Sequence, residues 1–315
     1  MKLAAGQVMK NFLKSSETQY TMHAKSVRME EVKILKHHPK EYYNRLCTYK
    51  KYCFHYLDER QVDFKDTFNK FQVKEDSLQV LAIGTGNGDA DVPVIDMMTD
   101  KQFHINYIVV EPDADEIEKF KLLVASKQEQ GDWKSVNFEF NQTTIENYLK
   151  EAKKAQVKVN FDIIHAIHSA YHITHHASVF ADLYGHIGKE GILVNTMIAG
   201  PQEMVNAKAM EMNFGTRECP GSASFRHMIQ RSLPDVEIIT KYRKSYCSVD
   251  ECFKEYSKDG NMLLDFFVQI IDFRKHVTED ALSDFMAFFR EECCYEKDGQ
   301  LILDSDEEDI VIFKK

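Results

Sequence analysis

A glycine-rich turn follows a short apolar run in the first half of the chain, in the sequence VLAIGTGNGDAD from Val80 to Asp91. Turns of this kind often bind phosphates through backbone amides. This one contains no Lys or Arg and lacks the G-K-[ST] ending of a P-loop. Its G-x-G-x-G spacing over Gly84, Gly86 and Gly88 also departs from the dinucleotide pattern G-x-G-x-x-G. The turn therefore predicts a ligand that approaches the backbone closely but carries no phosphates.

An acidic residue ends the next apolar run, NYIVVEP, where Glu111 lies 27 residues after Gly84. A carboxylate at the carboxyl end of a parallel strand can accept hydrogen bonds from both hydroxyls of a ribose. Asp162 begins a third run, FDIIHAIH, whose end would approach the same ligand. Together these features favour an adenosine compound without phosphates, and S-adenosylmethionine (SAM) is the common one. The alternative interpretation of VVEP is an ordinary strand end.

Five histidines lie within the twelve residues HAIHSAYHITHH: His165, His168, His172, His175 and His176. His168 and His172 follow the predicted strand four residues apart and would share one face if a helix has begun. An imidazole can accept the proton of a nucleophile or orient it, so both are candidate catalytic residues. No acid or cysteine accompanies the run, and no metal site is expected. His165 is expected in the core, and His175 and His176 in solvent.

Short β-branched runs alternate with helical patterns through the middle of the chain. The runs are QVLAIG (79–84), NYIVVEP (106–112), VNFEFN (136–141), FDIIHAIH (161–168) and GILVNTMI (191–198). The helical patterns KFKLLVASK, ENYLKEAKKA and HASVFADLYGHI lie between them. This alternation predicts an α/β fold of parallel βαβ units with helices on both faces of the sheet. Ligands of such sheets bind beyond the carboxyl ends of the strands, where the glycine turn lies.

The two ends of the chain have other patterns. Residues 1–75 predict a helical extension that covers the acceptor pocket, with one or two amphipathic helices from Glu41 to Phe71. Residues 76–315 predict one compact domain. After Pro201, helical patterns surround the strand-like VEIITKYRKSYCSV, and GQLILDSDEEDIVIFKK predicts two strands around an acidic turn. We expect an antiparallel pair to complete the sheet and the acidic run Asp304–Asp309 to be solvated.

Composition excludes several classes of partner. The formal charge of −10 disfavours nucleic acid, because phosphate backbones require a basic surface. No apolar run reaches the ~18 residues of a membrane span, and the amino-terminal residues do not resemble a signal peptide. Seven cysteines at irregular spacings indicate reduced thiols rather than a disulfide framework. These features predict a cytoplasmic protein, and we expect a monomer with a small-molecule partner.

Several motifs resemble histamine N-methyltransferases from about residue 76 to the carboxyl terminus. They are VLAIGTGNGDADV, VVEPDADEIEKFKLLV, FDIIHAIHSAYHI and DECFKEYSKDGNMLLDFF, followed by DGQLIL and the IVI ending. The resemblance implies a class I methyltransferase, with a Rossmann-like mixed sheet of seven strands, and a SAM site. It places the cofactor against Gly84, Thr85, Gly86, Gly88, Glu111, Pro112, Glu116, Thr143 or Thr144, and Ile167.

The same resemblance implies an acceptor pocket that departs from the family pattern. Where the family has a glutamine, this chain has His168, and where the family has two adjacent tyrosines, it has Tyr171 and His172. The tryptophans of the family's pocket have no counterpart. The residues implied to line it are Tyr42, Tyr49, His55, His168, Tyr171, His172, Phe266 and Ser305. A core position is the alternative for Phe266. These departures indicate an acceptor that has diverged from histamine.

The chain is therefore expected to transfer a methyl group from SAM to a nitrogen of a small amine or imidazole-like molecule. One alternative is an oxygen or carboxylate acceptor, with His168 or His172 as the base. Another alternative is a non-catalytic relative that binds SAM or a small ligand.

Overall fold

The computed structural model describes residues 32–55, 77–101, 104–156, 159–212 and 221–314. The strands are β1 Cys53–His55, β2 Ser77–Ile83, β3 His104–Val110, β4 Val136–Asn141, β5 Phe161–Ile167, β6 Ile187–Ile198, β7 Glu237–Arg243, β8 Ser245–Ser248, β9 Cys294–Lys297, β10 Gln300–Asp304 and β11 Glu307–Phe313. The helices are α1 Pro39–Tyr52, α2 Val92–Asp100, α3 Ala114–Gln130, α4 Ile145–Lys154, α5 His176–His186, α6 Pro201–Glu211, α7 Ser222–Ser232, α8 Lys258–Val268, α9 Phe273–His276 and α10 Glu279–Phe288. Shorter helical turns are Leu35–His37, Ala170–His172, Asp250–Phe253 and Phe289–Cys293.

Residues 1–31 and 56–75 of the predicted extension lie outside the described ranges. Its described part contains α1, which confirms a helix in this region and begins at Pro39, two residues before the predicted start. The helix ends at Tyr52 and the strand β1 follows, so the helical prediction is wrong for Cys53–His55. The five predicted strands of the middle of the chain correspond to β2–β6. None of the helices in the described ranges is both long and apolar enough to cross a membrane.

Seven strands form the larger sheet, in the order β4-β3-β2-β5-β6-β11-β7. Neighbours from β4 to β6 are parallel, and β11 is antiparallel to both β6 and β7. This arrangement confirms the mixed seven-stranded sheet. The carboxyl ends of β2, β3, β4 and β5 lie side by side, so the turns that follow these strands meet at one edge.

Apolar residues alternate between the two faces of this sheet. Leu81 and Ile83 of β2 belong to a core cluster that also contains Phe180 of α5 and Phe225 of α7. Val80 and Ala82 belong to the opposite cluster, together with Val94 of α2 and Phe120 of α3. Because both faces of β2 are covered by helices, its sequence is continuously apolar rather than alternating.

The chain divides into two compact units. The larger consists of the described parts of His55–Ala199, Glu218–Lys244 and Glu307–Lys315. It contains the seven-stranded sheet. The smaller consists of the described parts of Met1–Phe54, Gly200–Arg217 and Ser245–Asp306. It contains a four-stranded sheet in the order β1-β8-β10-β9 and its own core.

The strand pairing of the carboxyl-terminal region differs from the expectation. The last two strands do not form a hairpin, because β10 pairs with β8 and β9 while β11 pairs with β6 and β7. The predicted strand VEIITKYRKSYCSV likewise contains β7 and β8, which belong to different sheets. An antiparallel strand does complete the larger sheet, as expected, but its partners are β6 and β7.

The prediction of a solvated acidic turn is wrong. Ser305, Asp306, Glu307, Glu308 and Asp309 are all buried. Glu307 to Asp309 begin β11, which lies between two other strands, so their backbone cannot face solvent. Their carboxylates are tolerated because cationic or hydroxyl partners lie on neighbouring elements of the larger unit.

Candidate active site

The three glycines of the turn after β2 have backbone angles that favour glycine. The φ angles of Gly84, Gly86 and Gly88 are 62°, 54° and 84°. A Cβ atom on Gly84 would lie 2.4 Å from the Cβ of Ser169, and one on Gly88 would lie 2.3 Å from the Phe120 ring. The turn is therefore packed too closely at these two points for any side chain. Its first amide, that of Gly84, donates to Val110 O at 2.8 Å and ties the turn to β3.

Glu111, the first residue after β3, connects the glycine turn to the start of α3. Its Oε2 accepts from the backbone amide of Gly86 at 2.9 Å, and its Oε1 accepts from that of Asp113 at 2.9 Å. The side chain is buried, and burial raises the pKa of the carboxyl although both amides favour the charged form. Each carboxylate oxygen can accept a second hydrogen bond. Glu111 can therefore hold the turn and still receive ribose hydroxyls.

Glu116 brings a second carboxylate to the same region. Asp113 caps α3 by accepting from the amides of Asp115 and Glu116, which sets Glu116 in the first turn. Its Oε1 pairs with Lys119, whereas its buried Oε2 has no hydrogen-bond partner in the described part of the chain. The charge of Glu116 also contributes to the raised pKa of Glu111. A buried acceptor without a donor is costly, so a ligand with a hydrogen-bond donor fits here.

The turns after β4 and β5 contribute the remaining predicted cofactor residues. Thr144 is exposed and caps α4, since its hydroxyl accepts from the amide of Asn147 at 3.4 Å. Thr143 is half-buried, and its amide donates to Asn141 O at 3.0 Å. Ile167 is half-buried at the end of β5. The structure thus gives the Thr144 hydroxyl a capping role and leaves Thr143 as the more enclosed of the two positions.

Two more of the predicted cofactor residues complete the turns. Thr85, between Gly84 and Gly86, is buried, whereas Pro112 after Glu111 is exposed. The predicted cofactor residues therefore lie in the turns that follow β2, β3, β4 and β5 of the larger unit. A buried oxygen without a hydrogen-bond partner in the described part of the chain, a turn with three glycines and a carboxylate with spare acceptor capacity fit a nucleoside that bears hydroxyl and amine donors.

His168 follows β5 with a left-handed backbone, at φ 53°. Its amide donates to Thr196 O at 3.0 Å, and its Nε2 lies 3.0 Å from Oε1 of Glu307. Its ring lies beside that of Tyr171, with centroids 6.5 Å apart and planes 19° apart. Tyr171 in turn accepts from the amide of Ile198 through its hydroxyl. Left-handed backbone is uncommon outside glycine and is often retained at functional positions.

Glu307 belongs to a buried polar network that the sequence analysis missed. Its Oε2 accepts from Nε and Nη2 of Arg243 at 3.3 and 3.2 Å. Arg243 also donates to Asp309, and Asp309 accepts from the hydroxyl of Thr196 at 2.6 Å. The register of β11 between β6 and β7 brings these residues together. No local signal marks the network, because its members come from three separate strands.

The solvent exposure of the other histidines agrees only in part with the prediction. The helical turn after β5 begins only at Ala170, so the condition for a shared helical face is not met and His168 and His172 do not lie on one. His172 is exposed. His176 was expected in solvent but is buried, and its Nε2 contacts Ala170 O at 2.7 Å. The exposed position of His175 and the core position of His165 are confirmed.

His165 belongs to a buried chain of three polar groups beneath the glycine turn. Tyr107 donates its hydroxyl to Oδ1 of Asp91 at 2.6 Å, and the same hydroxyl lies 2.7 Å from Nε2 of His165. Burial raises the pKa of Asp91 to about 7 and lowers the pKa of His165 to about 3. Burial therefore favours the neutral form of both groups, and Asp91 lies immediately before α2 without capping it through its side chain.

Four predicted acceptor residues lie together in the smaller unit. The ring of Phe266 stacks on Tyr49, with centroids 4.7 Å apart, and lies 5.9 Å from the ring of Tyr42. The Tyr49 hydroxyl is 2.5 Å from Oγ of Ser305, which also donates to Oε1 of Gln202 at 2.6 Å. Gln202 was not predicted. His55 ends β1, and its side chain lies outside the described part of the chain.

Phe266 packs in the core of the smaller unit, in agreement with the alternative interpretation of this residue. Tyr49 and Ser305 are buried as well. These residues therefore form an aromatic and hydroxyl cluster within that unit. In the described ranges, no three His, Cys, Asp or Glu side chains are arranged to hold a metal ion.

Comparison with known proteins identifies the class. A family model described as a methyltransferase domain matches residues 54–232. This is more than half of the chain, so the protein belongs to the methyltransferase domain family. The family implies SAM as the methyl donor, and the donors and acceptors around Glu111 and Glu116 fit it.

Curated relatives narrow the similarity further. The chain is 26% identical to histamine N-methyltransferase of Danio rerio over 242 residues, which cover 74% of this chain and 80% of the relative. It is 23% identical to that of Xenopus tropicalis over 250 residues, which cover 75% and 81%. A solved candidate methyltransferase from Bacillus halodurans covers 80% of this chain and 99% of its own, at 13% identity and a TM-score of 0.50. That likeness supports the fold alone.

Proposed function

We propose that this protein transfers a methyl group from SAM to a nitrogen of a small amine or imidazole-like molecule. One observation carries the choice of donor: Glu111 connects the glycine turn to the start of α3 through the amides of Gly86 and Asp113, while Oε2 of Glu116 lies buried without a partner in the described part of the chain. When bound, SAM supplies a methyl group on a positively charged sulfur. The distant similarity to histamine N-methyltransferases supports the class of acceptor.

Each cofactor residue has a role that follows from its position. Glu111 would accept the ribose hydroxyls, and Gly84, Gly86 and Gly88 would allow the ligand to approach the backbone of the turn. Glu116 would accept a hydrogen bond from an amine or hydroxyl of the nucleoside or amino acid part. Thr143, in the turn after β4, and Ile167, at the end of β5, would contact the adenine ring of the nucleoside.

His168 is the residue proposed to face the acceptor. The neutral ring would orient the acceptor by a hydrogen bond and take the proton that the acceptor releases. Alignment of this kind provides most of what an enzyme must add to a displacement reaction. His172 is exposed and lies beyond the strand end, and this proposal assigns the proton-accepting role to His168.

An oxygen acceptor is a second candidate, and the contact between His168 and Glu307 favours it. A hydroxyl must lose its proton to become a good nucleophile, and an imidazole backed by a carboxylate is a common arrangement for this task. An amine acceptor requires less assistance. Both candidates use the same donor site and differ only in the chemistry of the acceptor.

Calorimetric titration with SAM and with its demethylated product tests the donor site. We expect the wild-type protein to bind both and Glu111→Ala to bind them about 100-fold more weakly, because two charge-assisted hydrogen bonds are lost. Glu118→Ala is a matched control, since Glu118 is an exposed carboxylate on α3, the helix that follows Glu111. Undiminished binding by Glu111→Ala would refute the assignment.

A screen then separates the two acceptor classes. Purified protein, SAM and a panel of biogenic amines, imidazoles, phenols and carboxylates would be incubated and analysed by mass spectrometry for a methyl increment. Methylation of amines or imidazoles supports the first candidate. Methylation confined to phenols or carboxylates would replace it with the second, and binding of SAM without any methylation would exclude both.

A further inference from the structure

We propose that Glu307 is a positioning residue that keeps the proton of His168 on Nε2 and so reserves Nδ1 as the proton-accepting nitrogen. The proposal rests on the proposed function, in which His168 faces the acceptor. Glu307 lies within DSDEED, a run whose composition is typical of a surface turn. A positioning role explains why this carboxylate is buried at the end of the parallel strands.

The direction of the hydrogen bond follows from the chemistry of the two groups. An ionised carboxylate can only accept, so the contact between Oε1 of Glu307 and Nε2 of His168 at 3.0 Å requires a proton on Nε2. To accept a proton from the acceptor, the imidazole must be in its neutral form, which carries a single N–H. The lone pair must therefore lie on Nδ1, which has no partner in the described part of the chain.

Arg243 forms an ion pair with Glu307 and fixes its orientation. Two nitrogens of the guanidinium donate to Oε2 at 3.3 and 3.2 Å, which leaves Oε1 directed at the imidazole. Arg243 is itself held by Asp309, and Asp309 by the Thr196 hydroxyl. All of these groups are buried, so the carboxylate cannot exchange its partners easily for water.

The same strand that anchors Glu307 also anchors the histidine backbone. Thr196 accepts from the His168 amide through its carbonyl oxygen and donates to Asp309 through its hydroxyl. The network therefore returns to its starting residue. The left-handed backbone of His168 and the neighbouring ring of Tyr171 further restrict the imidazole. An imidazole that its neighbours hold in one orientation can accept a proton from a substrate bound at one fixed position.

The proton path is complete with these residues. The acceptor releases one proton from nitrogen or oxygen, and that proton passes to Nδ1 of His168. The resulting imidazolium holds protons on both nitrogens and is stabilised by the negative charge of Glu307. The proton then leaves Nδ1 to water when the product departs, which restores the starting tautomer.

Glu307→Gln provides an unusually direct test, because it should reverse the tautomer. Arg243 can only donate, so it requires the amide oxygen of the new side chain at the position of Oε2. The amide NH₂ then faces Nε2 of His168, which must become an acceptor. The proton moves to Nδ1, the nitrogen that should accept from the substrate. The variant keeps the size of the side chain and nearly all of its contacts.

Nuclear magnetic resonance of protein labelled with ¹⁵N in histidine can read the tautomer through two-bond proton–nitrogen correlations. The His168 signals are assigned by their loss in His168→Gln. We expect a pyrrole-like Nε2 and a pyridine-like Nδ1 in the wild-type protein, and the reverse in Glu307→Gln. Glu308→Gln is the matched control, since this neighbouring carboxylate points to the opposite face of β11 and should leave the tautomer unchanged.

The outcomes separate this proposal from the proposed function. A wild-type His168 protonated on Nδ1 would overturn it without the need for any variant, as would an unchanged tautomer in a folded Glu307→Gln protein. With an acceptor found by the screen, Glu307→Gln should lower kcat about 10³- to 10⁴-fold, as a wrong tautomer does elsewhere, with little change in SAM affinity. If the wild-type protein does not bind SAM, the proposed function is refuted, but the measured tautomer of His168 is unaffected by that result.

Discussion

Asp91→Asn should change how the stability of the larger unit depends on pH. Burial raises the pKa of Asp91 from 3.8 to about 7. Between these two values the folded protein holds a proton that the unfolded chain has lost. Stability therefore falls as pH rises through this range, because the unfolded state binds fewer protons. Over the whole range the loss is about 4 kcal/mol, at about 1.4 kcal/mol for each pH unit.

His165 acts in the opposite direction and hides part of this effect. Burial lowers its pKa from 6.5 to about 3, so between these values the unfolded chain holds a proton that the folded protein lacks. Stability then rises with pH. In the wild-type protein the contributions of Asp91 and His165 oppose each other over most of the acidic range. The difference between wild type and Asp91→Asn removes the His165 contribution and isolates Asp91.

Trp133 makes the measurement specific. It is the chain's only tryptophan, and it is buried in a core cluster of the larger unit. Denaturant unfolding followed by its fluorescence would give the free energy of unfolding at several values from about pH 4.5 to about pH 7.5. Asparagine can still accept from the Tyr107 hydroxyl but cannot ionise, so Asp91→Asn should gain about 3 kcal/mol relative to wild type across this range.

A matched control is available in the same turn. Asp89 is exposed, so water solvates its carboxylate in both states and Asp89→Asn should show no comparable trend. If the difference between Asp91→Asn and wild type stays constant with pH, Asp91 does not carry the burial penalty inferred from its surroundings. The buried chain through Tyr107 to His165 would then need another explanation.

Two further predictions concern packing. Gly88→Ala places a Cβ against Phe120 in a left-handed backbone and should lower stability by about 3 kcal/mol or more, whereas Gly185→Ala, on an exposed and open helical position, should raise it by about 0.5 kcal/mol in the same thermal unfolding assay. In the smaller unit, Asp265→Ala removes the buried carboxylate that pairs with the buried guanidinium of Arg45 and leaves Arg45 its ion pair with the more exposed Glu41. It should cost about 3–5 kcal/mol by calorimetry, and a cost below about 1 kcal/mol would show that the pair is effectively solvated.

The alternation of strands and helices could be predicted because it is encoded locally. β2 to β6 and the intervening helices follow from apolar runs and their spacing, and the parallel arrangement follows from the connections. The glycine turn and Glu111 were also recognisable, since a turn sequence and the acid at the end of the next strand lie close in the chain. These features share one property: each depends on neighbouring residues.

The strand partners of the carboxyl-terminal region could not be predicted in this way. β10 and β11 are separated by only two residues, yet they join different sheets. Nothing in DSDEED distinguishes a hairpin turn from a passage between two sheets. The burial of His176 was missed for a related reason. Its partner is the carbonyl of Ala170, which lies in a short helical turn that no sequence pattern predicts.

The acidic residues at the start of β11 are buried because of partners that are distant in the sequence. Three consecutive carboxylates normally indicate solvent, because burying them is expensive. Here Arg243 on β7 forms ion pairs with Glu307 and Asp309, and the hydroxyl of Thr196 on β6 donates to Asp309. Arg243 lies 64 residues from Glu307, and Thr196 lies 113 residues from Asp309.

Apolar residues in place of such a buried ionic network are often at least as stable, so the network is poorly explained by stability alone. The network also contacts His168, which lies outside these strands. A buried carboxylate that costs stability and ends on an imidazole at the ligand-binding edge of the sheet is better explained as a means of orienting that imidazole. For this reason the tautomer of His168, rather than the stability of the protein, is the property that a change at Glu307 should alter first.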